Sequence, residues 1–174
     1  MPRCEWRLTS CPSQRPGVLS MTDPQSVCNW CRLDACITTS GQPTEDQLAQ
    51  ICELGVRHIV NLGLHTHAKA LPDQAASVEK LGMTYTHIPV DFQNPTQEDF
   101  GKFCSVMEEL QGVPVHVHCI MNYRVSAFFY RWHREIAGMD ESSARALLIR
   151  QWDPQANDRK EARPWAEFLA RTGI

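Results

Sequence analysis

The stretch Pro114-Val115-His116-Val117-His118-Cys119-Ile120-Met121-Asn122-Tyr123-Arg124-Val125-Ser126 most constrains what this chain can fold into. Its first half carries β-branched Val115 and Val117 on alternate positions, the pattern of a buried strand. Its second half leads into Val125, Phe128, Phe129 and Trp132, spaced i, i+3, i+4, i+7, which is the apolar stripe of a helix. A cysteine therefore stands at the C-terminal end of a strand and an arginine where a helix begins, with a sharp turn between them. The first turn of a helix has N–H groups without intrahelical partners and a partial positive charge, so it attracts anions. A thiol held there beside a guanidinium is expected to ionise in the range ~3.5–7.5, below the free value. The same loop would cradle the oxygens of a phosphate, with Arg124 gripping two of them and Ser126 able to donate its hydroxyl to the sulfur. This is the layout of an activated nucleophile within an oxyanion-binding loop. A buried core cysteine before a helix, with a surface arginine, is the plainer alternative.

The rest of the chain supplies strands and helices in alternation. Ala35–Ser40, His58–Leu62 and Thr84–Val90 read as strands. Thr44-Glu45-Asp46-Gln47 is a capping box that opens a helix striped by Leu48, Ile51 and Cys52. Asp73–Leu81 reads as helical, Thr96 caps a helix striped by Phe100, Phe103, Cys104, Met107 and Leu110, and two further helices follow Gly138. The expectation is an α/β fold, a central mostly parallel sheet flanked by helices, with ligands at the carboxyl ends of the strands. Cys119 and Asp91 both fall at such ends.

These residues resemble the signature loop of the protein-tyrosine/dual-specificity phosphatases, in which His-Cys is followed after five residues by Arg-Ser/Thr. Here only four residues separate Cys119 from Arg124, a Cys-x4-Arg loop, while Ser126 keeps the family's distance from the cysteine. Asn122 and Ser126-Ala127-Phe128 are similar to a small bacterial branch with a shortened loop. The resemblance implies a dual-specificity-phosphatase-like fold and hydrolysis of phosphate monoesters through a phosphocysteine on Cys119. It implies substrate contacts from Ile120, Met121, Asn122 and Tyr123, an orienting role for His118, and a hydrogen bond near the loop from Asn61. The leaving group needs an acid, which the family carries on a loop some 30 residues before the cysteine. Asp91, 28 residues before Cys119, fits that place, with Asp99 and Asp73 as alternatives. The shorter loop also suits a rhodanese-type sulfurtransferase carrying a persulfide on Cys119, or a phosphate-binding module without turnover.

At 174 residues, with 43% hydrophobic and 21% charged residues, the chain is long enough for one domain with its own core. A net charge of −3 does not favour nucleic acid, and no apolar run approaches the ~20 residues of a membrane helix. Residues 1–20 lack the apolar centre of a secretory signal and are expected to be a disordered extension, with residues 21–174 as the phosphatase-like domain. A required thiol fits a reducing compartment, so a cytoplasmic location is expected. Cys28-Asn29-Trp30-Cys31 lacks the second pair a zinc site needs and reads as a loop uninvolved in the site. His65 and His67, two apart, read as residues of a solvated loop. No metal or organic cofactor is implied. The expected partner is a phosphorylated protein or a small phosphate monoester.

Overall fold

The computed structural model describes residues 22–173; the expected N-terminal extension lies outside them. The elements in chain order are β1 (Cys31–Arg32), β2 (Ile37–Ser40), α1 (Glu45–Glu53), β3 (His58–Asn61), α2 (Gln74–Lys80), β4 (Thr84–His87), α3 (Gln97–Glu109), β5 (Val115–His118), α4 (Tyr123–Glu135), α5 (Glu141–Ile149) and α6 (Arg163–Ala170), with a 3₁₀ turn at Lys160–Ala162 before the last. Five strands form one sheet in the order β1-β2-β5-β3-β4. β2, β5, β3 and β4 run parallel, and β1 lies antiparallel on the edge. The α/β architecture expected from the alternation is the one observed.

One strand, β1, is not expected from the sequence, and the bounds of β2, β3 and β4 are shorter than expected, β3 ending at Asn61 rather than Leu62. β1 is only two residues long, too short to show a periodicity. β2 begins at Ile37 because the Asp34 carboxylate accepts from the N–H groups of Cys36 and Ile37 and holds them in a bend. β4 ends at His87, although Ile88 and Val90 still donate to the carbonyls of Asn61 and Leu62.

Strand residues point alternately to the two faces, and the faces differ in chemistry. Ile37, Val60, Val115 and Val117 meet Phe100, Phe103, Phe128, Trp165 and Phe168 from α3, α4 and α6 in the larger core. Each such side chain contributes about 1.5–3 kcal/mol on burial, so the α4 stripe docks that helix firmly behind the β5 exit. On the opposite face Ile59 packs with Leu48, Ile51 and Val78 of α1 and α2. Beside it the buried residues are polar: Thr38, Ser40, Asn61, His116 and His118. His116 accepts or donates to both Thr38 Oγ1 and Ser40 Oγ at 2.9 Å and stacks on Trp30. The register puts Ser40, His118 and Asn61 in one row at the carboxyl ends of three neighbouring strands. The next residue of β5's chain is Cys119. Among the described residues no helix is long and apolar enough to cross a membrane.

Candidate active site

The chain leaves β5 at His118, passes Cys119, which is buried, and turns into α4 through Asn122. Asn122 takes the left-handed conformation (φ 64°) that Asn tolerates better than most residues. Its side-chain amide donates to the Asn29 carbonyl at 2.8 Å and to Thr39 Oγ1 at 3.0 Å, so the turn is bolted to the sheet edge.

Every carbonyl from Cys119 to Tyr123 has a donor. The Cys119 carbonyl accepts from His118 Nδ1 at 3.2 Å, that of Ile120 from the Gln42 N–H at 3.1 Å, and that of Met121 from Asn29 Nδ2 at 2.9 Å. The Asn122 carbonyl accepts the first helical bond from the Ser126 N–H at 3.0 Å. The Tyr123 carbonyl accepts from Trp152 Nε1 and from Ser126 Oγ, both at 3.1 Å. In a planar trans peptide the following N–H lies opposite the carbonyl, and the described residues contain no cis bonds. The N–H groups of residues 120 to 124 therefore turn away from these donors. Those of Ile120 and Met121 meet no acceptor among the described residues, and those at the start of α4 are orphaned by helix geometry. Gly41 makes the close approach possible: a Cβ there would stand 2.7 Å from the Ile120 carbonyl oxygen.

Arg124 lies in the first turn of α4 and is 7% exposed, with its Nε buried and unpartnered. Its guanidinium sits 5.1 Å from the centre of the Phe92 ring and forms no ion pair among the described residues. A buried, uncompensated cation beside N–H groups turned away from those donors is electrostatically prepared for an anion. Phe92 is itself held by Trp152 and Trp165, and Trp165 Nε1 donates to the Phe92 carbonyl at 2.7 Å. Tyr123 stacks on Trp152 with ring centres 4.8 Å apart.

Asp91 is exposed, immediately before Phe92, and its Oδ1 accepts from the Gln93 N–H at 2.9 Å. The loop that carries it thus leans on Arg124 through the neighbouring ring. The alternative carboxylates are engaged elsewhere: Asp99 closes the capping box with Thr96, and Asp73 caps α2. His118 is fully buried, and that burial lowers its pKa to about 4, leaving a neutral ring. Asn61 accepts from the Gly63 N–H at 2.7 Å and donates to Tyr85 and Gln74. Ile120 is buried, and Met121 is half-buried with its sulfur 4.0 Å from Lys69 Nζ. Ser126 directs its hydroxyl to the Tyr123 carbonyl and lines a small cavity behind α4 with Thr39 and His133. No hydrogen bond links it to the Cys119 sulfur.

Cys28–Cys31 is not a loop apart from the site, as the sequence had implied. Asn29 and the Cys28 carbonyl, which accepts from Gly41, brace the turn directly. His65 and His67 do not face each other. His65 stacks on His87 at 3.7 Å, and His67 Nδ1 accepts from the Lys69 N–H. Among the described residues no three His, Cys, Asp or Glu side chains are placed to hold a metal ion. Sequence reasoning missed Asn29, Gly41, Gln42, Gln74, Phe92 and Trp152. Only Gly41, directly after a strand level with β5, carried a local signal.

A family model described as "DSP-PTPase phosphatase fused to NAD+ Kinase" matches residues 23–163. Comparison with curated proteins finds no match. The DUF442 protein of Shewanella putrefaciens CN-32, described as a candidate phosphatase, is 30% identical, with a TM-score of 0.72 over 86% of this chain and 97% of that one. Tk-PTP in its active form is similar in fold at 23% identity and TM-score 0.63, covering 81% of this chain and 95% of that one. So is P. aeruginosa TpbA in complex with pTyr, at 18% identity and TM-score 0.63, covering 91% and 92%. With residues 23–163 matched, on a sheet that delivers Cys119 and Arg124 to one loop, this chain belongs to the DSP-PTPase phosphatase family whose model is described as fused to NAD+ kinase.

Proposed function

We propose that the chain hydrolyses phosphate monoesters through a phosphocysteine on Cys119. The observation that carries this reading is the set of five outward-tied carbonyls beside the unpaired guanidinium of Arg124. It leaves loop N–H groups and a guanidinium available to an anion's oxygens without rearrangement at the moment of reaction. The Cys119 thiolate attacks phosphorus, the bond from phosphorus to the ester oxygen breaks, and that oxygen takes a proton from Asp91. The loop N–H groups and Arg124 hold the three equatorial oxygens. Water then attacks phosphorus, the P–S bond breaks, and Asp91 recovers a proton as inorganic phosphate leaves. In this reading Ile120, Met121, Asn122 and Tyr123 contribute backbone N–H groups. His118 and Asn61 hold the loop from behind. Ser126 serves the loop through the Tyr123 carbonyl rather than the sulfur.

The substrate is a phosphorylated protein or a small phosphate monoester. The family description joins such a phosphatase to an NAD+ kinase, so the kinase's phosphomonoester product belongs on the substrate panel beside phosphotyrosine, phosphoserine and phosphothreonine peptides. The deciding experiment assays the protein in parallel with p-nitrophenyl phosphate and with thiosulfate plus cyanide, then maps the modified residue by mass spectrometry after acid quench. Phosphate release with a phosphoryl group on Cys119 is the expected result. A persulfide on Cys119, discharged by cyanide and accompanied by no phosphatase activity, overturns the reading in favour of sulfur transfer.

A further inference from the structure

Gln74 is the first residue of α2 and is buried, a costly place for an amide unless it is fully partnered. Its partners can be assigned from one group whose role is not open to choice. The backbone N–H of Gly63 can only donate, so the Asn61 atom facing it at 2.7 Å is the oxygen. The Asn61 nitrogen is then a donor, and the Gln74 atom it faces at 3.4 Å is the oxygen. Gln42 Nε2 donates to the same oxygen at 3.2 Å. The remaining Gln74 atom is therefore the NH₂ group, and it meets His118 Nε2. An amide NH₂ cannot accept, so His118 Nε2 must be the bare nitrogen. The ring proton is consigned to Nδ1, where it donates to the Cys119 carbonyl at 3.2 Å.

The consequence reaches the anion loop. Once the Cys119 carbonyl is held by Nδ1–H, the peptide plane between residues 119 and 120 cannot rotate. The Ile120 N–H stands on the opposite side. With the other tautomer, Nδ1 would face that carbonyl lone pair to lone pair, and the peptide would be repelled rather than held.

We propose that Gln74 is a positioning residue for the anion loop: with its amide oriented by Asn61, it sets which nitrogen of the His118 imidazole carries the proton and thereby aims the Ile120 N–H at the bound anion. The inference rests on the anion-loop reading above. Gln74 touches neither sulfur nor arginine, and no motif in the sequence marks it.

The test uses the full chain with ¹⁵N-labelled histidine. In the wild type, long-range ¹H–¹⁵N spectra at neutral pH should show His118 protonated on Nδ1 and bare on Nε2; the reverse pattern overturns the proposal without any variant. In Gln74→Glu, a carboxylate can only accept, so His118 Nε2 should gain a proton. Phosphate or vanadate should then bind about 10-fold more weakly, the loss of roughly one hydrogen bond to a charged group. Gln74→Met, of similar bulk and without hydrogen bonds, should weaken binding while leaving both tautomers populated. An unchanged tautomer in Gln74→Glu sinks the relay. A changed tautomer with unchanged anion affinity shows that the relay does not position the loop, and equally overturns the proposal. Failure of the phosphatase reading looks different: the tautomer responds and phosphate binding weakens as expected, but no ester is hydrolysed by the wild type.

Discussion

Asn29 donates its side-chain amide to the Met121 carbonyl at 2.9 Å, across 92 positions of sequence. Its own carbonyl accepts from Asn122 at 2.8 Å. The pair of bonds clamps the middle of the Cys119–Arg124 loop to the turn that precedes the short edge strand. Residues ahead of the parallel sheet thereby become part of the candidate site. Asn29 holds a left-handed conformation (φ 51°), which suits Asn or Gly and strains most other residues.

Two substitutions at Asn29 separate the clamp from the backbone. Asn29→Gly keeps the turn conformation and loses the donor; Asn29→Asp keeps a side chain of the same shape but cannot donate. Both should lower unfolding free energy by about 0.5–1.5 kcal/mol and weaken phosphate binding several-fold. Urea melts and titration calorimetry read the two quantities, and wild-type values for both variants would show that the Met121 carbonyl needs no such anchor.

Arg124 and Cys119 should divide binding from chemistry. Cys119→Ser is expected to abolish turnover and to retain phosphate or vanadate binding, because the guanidinium and the loop N–H groups remain. Arg124→Lys replaces a planar fork by a point charge. It should weaken binding by about 10–100-fold, the worth of hydrogen bonds to a charged ligand. Calorimetry on both proteins decides it: equal affinity in Arg124→Lys and wild type removes Arg124 from the anion site.

Asp91 is tested through the leaving group. If it protonates the departing oxygen, Asp91→Asn should cut turnover of alkyl phosphates by ~10²–10⁴. The loss should be much smaller for p-nitrophenyl phosphate, whose leaving group needs no proton. Steady-state kinetics on both substrates check this, and equal losses would assign Asp91 a structural role.

Acid should destabilise the fold through its buried histidines. Burial lowers the pKa of His118 and His133 to about 4 and that of His116 well below its ordinary value. Their native rings stay neutral while the unfolded chain takes up protons below about pH 6.5. The unfolded state then binds more protons, so stability falls as pH drops from about 6.5 towards 4 and is unaffected by these groups above that window. Each contributes a slope of up to about 1.4 kcal/mol per pH unit. Urea unfolding at pH 7.5, 6 and 5 should show the decline. His133→Gln, on α4 away from Cys119, should remove one histidine's share of the slope.

The sequence by itself determined the parts whose cause is local. Val115 and Val117 alternate because one face of β5 enters the aromatic core, and Val125, Phe128, Phe129 and Trp132 recur at helical spacing because α4 lies on that core. The capping boxes at Thr44 and Thr96 stand where the residues demand them. The succession of strand end, Cys119, and Arg124 at the helix start follows from adjacency in the chain. Tertiary structure alone decided what surrounds that succession. The donors that turn the loop carbonyls outward come from Gln42, Asn29 and Trp152, and the network behind His118 comes from Asn61 and Gln74. Each is a single side chain or N–H brought in from elsewhere in the chain: Gln42 and Asn61 from the ends of β2 and β3, Gln74 from α2, Asn29 from the turn before β1 and Trp152 from beyond α5. Such contacts leave no period in the sequence, because only their position in space relates them. Ser126 shows the converse. Its spacing from Cys119 pointed to the sulfur, but at the first turn of a helix a serine hydroxyl finds the carbonyl three residues back, and there it has bonded to Tyr123.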